Sequence, residues 1–80
     1  MNKTPIAAFA FRLEFLRQGA KHRMLSGNET SKVSYYALRM AMKAFIGDVY
    51  VESNSCEKDD IRQAIQSARA DYWSLEVPQG

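Results

Sequence analysis

The sequence predicts an all-α protein, a small domain of three helices with room for a short extended segment at 47–55. Three observations carry this. Apolar residues recur every three or four positions in three separate stretches. Each stretch opens on a good helix-capping residue. The breaks between them are short and rich in Gly, Asn and Ser.

The first helix is expected at about 5–24. Thr4 can cap it, and Pro5 suits the first helical position. Ile6, Phe9, Leu13, Leu16, Ala20 and Met24 share one face. Gly19 weakens the helix by about 1 kcal/mol relative to Ala. A strand is the rival reading, because Phe9, Phe11, Leu13 and Phe15 alternate with Ala10, Arg12 and Glu14. The alanines and the Thr-Pro start are poor strand material, so helix is preferred.

The second helix is expected at about 29–46, capped by Asn28 or by Ser26 with Glu29 three residues on, and stopped by Gly47. Tyr35, Leu38, Met42 and Phe45 form its apolar stripe. Val49 and Val51 then alternate with Tyr50 and Glu52, the pattern of a short extended segment. Ser55 opens the third helix, about 56–75, and Glu57, Asp59 and Asp60 suit the positive end of its dipole. Ile61, Ala64, Ile65, Ala68, Tyr72 and Leu75 line its apolar face, and Pro78 lies beyond its end.

Eighty residues make one domain, 1–80. A hydrophobic share of 46% with 25% charge argues against disorder. A single cysteine, Cys56, excludes an internal disulfide and a Cys-based zinc site. No run nears the roughly 18 apolar residues of a membrane span, and no secretory pattern opens the chain. The expectation is a soluble, cytoplasmic protein with no membrane partner.

Charge is uneven. Residues 1–46 hold eight Lys/Arg against two acids, a net of +6; residues 47–80 hold three against seven, a net of −4. An anionic partner for the first half would explain this, as would cancellation between halves on folding. At 100° per residue, Lys32, Arg39 and Lys43 form one stripe of the second helix, bordered by Tyr36. Arg17, Lys21 and Arg23 wrap the end of the first helix. All seven are candidates for binding an anion or nucleic acid. Solvation of a helix face, or complementing a helix C-terminus, would equally place cations there.

Phe11 and Phe15 stand opposite the main stripe of the first helix. Arg69 and Trp73, with Arg62, line the third helix away from its core face. These aromatics and Arg69 are candidate partner-binding residues; stacking of Arg69 on Trp73 is the plainer alternative. Cys56 has no evident base, and His22 no second ligand, so neither a catalytic nor a metal role is expected. A Gly-rich phosphate loop, GxSxG, HExxH and EF-hand patterns are all missing. Nor does the link after Gly47 suit a helix-turn-helix, since the third helix opens with acids.

The expectation is therefore a non-enzymatic binding protein, of adaptor or inhibitor type and without a cofactor. It would occupy a surface on a larger protein or nucleoprotein assembly. A nucleic-acid-binding regulator is the alternative, and a homodimer is a further way to cover surplus apolar surface.

Overall fold

A computed structural model describes residues 4–76, with side chains as far as Ser74. Helix α1 spans Pro5–Leu25, α2 spans Glu29–Phe45 and α3 spans Ser55–Glu76; a π-helical turn, Ile46–Tyr50, prolongs α2. There is no strand among the described residues, and Phe9–Phe15 is helical, which removes the strand alternative. Pro78 and the side chain of Leu75 lie outside the described residues.

Local chemistry sets the boundaries. The Thr4 side chain accepts from the Ala7 N–H at 3.1 Å, with Pro5 opening α1. At the other end, the Gly27 N–H donates to the Met24 carbonyl (3.1 Å) and the Asn28 N–H to the Arg23 carbonyl (3.0 Å). This paired closure needs a left-handed residue, and Gly27 supplies it at φ +97°. Asn28 then caps α2, its Oδ1 accepting from the Ser31 N–H at 3.2 Å. Ser26, the other candidate cap, instead donates its hydroxyl to the His22 carbonyl.

Three local expectations are corrected. Gly47 does not stop α2, and 47–55 holds no extended segment. The chain widens into the π turn, where the Val51 N–H donates to the Ile46 carbonyl, five residues back. Ile46, Val49 and Tyr50 all pack on the core from that turn; an extended segment would send Val49 and Tyr50 to opposite sides. The cap of α3 is Asn54, not Ser55. Asn54 Oδ1 accepts from the Glu57 N–H (2.8 Å) and Glu57 Oε1 accepts from the Asn54 N–H (3.0 Å), a reciprocal capping box.

The helices form a single layer with α1 in the middle. Phe9 packs on Phe45 and Arg23 reaches Ser31, so α2 runs antiparallel to α1. Glu14 meets Arg69 and Gln18 meets Trp73, so α3 runs parallel to it. Among the described residues, no Cα of α2 comes within 8 Å of α3. The Cα envelope measures 40 × 31 × 14 Å. The Cα trace of one helix is only roughly 5 Å across, so this depth makes the layer bowed rather than flat. The core is one cluster that runs across α1 from α2 to α3. Ala7, Ala10 and Leu13 are buried with Phe45 of α2 and with Ile61 and Ala64 of α3.

This layer changes the reading of Phe11 and Phe15. From the sequence they are candidate partner-binding residues, because in a closed three-helix bundle both neighbours of a helix lie on its inner side. Here the neighbours lie on opposite sides. Phe15 meets Tyr72 of α3 edge-on (centroids 5.4 Å) and stacks on Phe11 (6.0 Å), and both are half-buried. Within the expected main stripe it is Phe9 and Leu16 that lie open, 55% and 45% exposed.

Candidate functional site

A helix flanked on two opposite sides keeps two further faces. At about 100° per residue, Arg17 and Lys21 fall on one of these and Arg12 and Leu16 on the other. The contacts of the outer helices fix how each is turned. Arg69 and Trp73 reach Glu14 and Gln18, which puts their side of α3, with Lys58 and Arg62, on the Arg17 face. Phe45 and Ser31 point at α1, which puts Lys32, Arg39 and Lys43 of α2 on that same face, with Tyr36 at its margin. The layer is thus two-sided.

The first side is basic. Among the described residues, Lys21, Lys32, Arg39 and Lys43 make no ion pair. Lys58 stands over the Tyr50 ring at 5.7 Å, and Arg62 bonds Asp59 and the Tyr50 hydroxyl. At the centre lies Glu14, only 1% exposed. It accepts from Arg17 Nε and Nη2 (2.8 and 2.9 Å), Gln18 Nε2 (2.6 Å) and Arg69 Nε (2.8 Å). Burial alone would raise its pKa. The hydrogen bonds from Arg17, Arg69 and Gln18, with the charge of Arg17, outweigh burial and hold the carboxyl below its ordinary value. The same hydrogen bond raises the Arg17 pKa, so both groups stay charged. One carboxylate against two guanidiniums leaves this cluster positive.

The second side is apolar along α1. Phe9 and Leu16 project from it, and Phe11, Arg12, Phe15 and Leu16 line a shallow depression of about 420 Å³. The adjoining edge of α2 carries the exposed small residues Ser34, Ala37 and Ala41; that of α3 carries Asp60, Ser67 and Asp71.

The predicted residues therefore divide. Arg17, Lys21, Lys32, Tyr36, Arg39 and Lys43 come together on the basic side, joined by Arg69 and Trp73. Arg23 does not join them: it turns to the apolar side and donates to Ser31. Arg69 and Trp73 reach Glu14 and Gln18 of α1, and Trp73 packs on His22 and Tyr72. Sequence reasoning missed Glu14, Gln18, Lys58, Phe9 and Leu16. For Glu14 and Gln18 the signal was present: they sit at i, i+4 beside Phe11 and Phe15, polar groups inside an apolar flank.

His22, which bonds the Tyr72 hydroxyl at 3.0 Å, and the exposed Cys56 lie at opposite ends of the layer. Among the described residues no group of three His, Cys, Asp or Glu is placed to hold a metal ion, and no helix is long and apolar enough to cross a membrane. No family model, curated protein or solved structure matches this chain.

Proposed function

We propose that this is a non-enzymatic binding protein that docks the apolar side of α1 on a larger protein. The observation that carries this is the row of Phe9 and Leu16, about half exposed at the centre of a single helical layer. Domains ordinarily bury an apolar face against a second layer. Here the partner supplies that layer. Its docking element is an apolar helix: the small residues Ser34, Ala37 and Ala41 leave a low rim beside Phe9, along which a helix can lie closely. Buried aromatic and aliphatic anchors of this kind carry most of the energy of an interface.

The test compares wild type with Phe9→Ser/Leu16→Glu. Capture from the native cell after nuclease treatment, followed by binding to the purified captured protein, is expected to give a stoichiometric complex that the variant fails to form. Because Phe9 also packs on Phe45, Leu16→Glu alone is tested beside the double variant, and it too is expected to lose the complex while keeping its helical circular dichroism. Equal binding by wild type and variant would refute the reading. So would sedimentation of wild type alone as a micromolar dimer that the variant dissolves, since its own copy would then fill the face.

A further inference from the structure

We propose that the basic side, opposite the docking face, grips the phosphate backbone of a nucleic-acid duplex without reading its sequence. Three observations meet here. The cations come from all three helices: Lys32, Arg39 and Lys43 from α2, Lys21 from α1, and Lys58 with the Arg69 edge of the Glu14 cluster from α3. Two acids on this side are already occupied, while Glu29 stands exposed beside Lys32. Glu14 is buried between Arg17 and Arg69, and Asp59 is bound to Arg62. A surface with such an excess of unpaired charge matches a polyanion. Protein interfaces, by contrast, exclude lysine from their centres, and here lysines occupy much of the face.

The shape decides what is read. The cations are spread over three helices, so no single helix carries the basic face. Base recognition in the major groove, about 12 Å wide, needs an element that enters the groove. Cations spread in this way touch phosphates on the rims and position the protein without specifying a site. The reading is independent of the docking face, which lies on the other side of α1. Together the two faces would make the protein a bridge between a protein partner and nucleic acid.

Fluorescence anisotropy with a labelled DNA duplex of mixed sequence tests this. If four to six phosphates are contacted, the log–log salt slope is about −3.6 to −5.4. A scrambled duplex should bind within about threefold, as backbone contacts carry no sequence information. Arg39→Glu/Lys43→Glu should weaken binding at least tenfold and flatten the slope by about 2. The charge-keeping swap Arg39→Lys/Lys43→Arg should bind as wild type does, and all variants should keep their helicity. No binding at low salt, binding insensitive to salt, or an unaffected reversal variant would overturn the proposal. So would strong preference for one duplex sequence. Equal or tighter binding to phosphatidylserine-containing vesicles would assign the face to a lipid surface and overturn it too.

Discussion

Glu14 brings two arginines and a glutamine to one buried carboxylate. Its worth is best measured as a function of pH. The folded pKa lies below the ordinary value of 4.5, so the stability from this group is fully present above that value. It is lost as pH falls through the folded pKa. Thermal melts of wild type should therefore fall on acidification below about pH 4.5 more steeply than those of Glu14→Gln. At neutral pH, Glu14→Ala should cost about 1–3 kcal/mol, because it strands buried donors. Arg69→Ala should cost less, about 1 kcal/mol or under, because its side chain is 54% exposed and Arg17 and Gln18 still hold the carboxylate. Equal losses for the two variants would contradict this ranking.

The glycines make a second contrast at this scale. A Cβ on Gly19 would lie 3.4 Å from Arg23 Nη1 and 3.5 Å from a Tyr72 ring carbon, which is ordinary contact. Gly19→Ala should thus stabilise α1 by about 0.5–1 kcal/mol. Gly27→Ala should cost about 1 kcal/mol, since its left-handed backbone disfavours any Cβ. For a domain this size, 1 kcal/mol moves the melting temperature by about 4–8 °C, so opposite shifts are readily seen. The sequence marks both glycines but not their difference: that depends on the ring of Tyr72, fifty-three positions from Gly19.

Helices were legible because caps and spacing are local. The Thr4-Pro5 start, the Asn28 cap and the helical stretch through Phe9–Phe15 all follow from neighbours within four residues. The start of α3 was misread by one position: Ser55 and Asn54 are both good caps, and Glu57 lies three residues from Asn54. Asn54→Ala should destabilise by about 1 kcal/mol in chemical denaturation, while Ser55→Ala changes little. The π turn was illegible, since Gly47 is a sound local stop and only packing of Val49 and Tyr50 on the core carries the helix past it. Phe15 belongs to the α1–α3 seam, so Phe15→Ala should cost about 2–4 kcal/mol at every protein concentration, less than a fully buried ring because it is half-exposed. A loss that vanishes on dilution would instead place the ring in an intermolecular contact.

On the scale of the whole molecule, the two apolar flanks of α1 were visible in the sequence, Phe9 and Leu13 on one, Phe11 and Phe15 on the other. Their meaning was not. Two flanks fit a helix with surplus surface as well as one placed between two neighbours, and only contacts far apart in sequence choose. The same choice decides the candidate site. Which cations gather depends on how α2 and α3 are turned about α1, so Arg23 separated from its sequence neighbours while Lys58, in the acidic half, joined the basic side. The charge asymmetry along the chain becomes in part an asymmetry between two faces.

The central claim is that α1 lies between α2 and α3 in one layer, which leaves its apolar side uncovered. Pulsed electron resonance on spin labels at Ala37 and Ser67, both exposed, with Cys56 replaced by Ser, measures the separation of α2 from α3 directly. Packed helices stand about 8–10 Å apart, so the layer predicts axes separated by two such steps, about 16–20 Å. A separation of one step, about 8–10 Å, would mean a closed bundle with α2 against α3, and would contradict both the open face and the basic side built upon it.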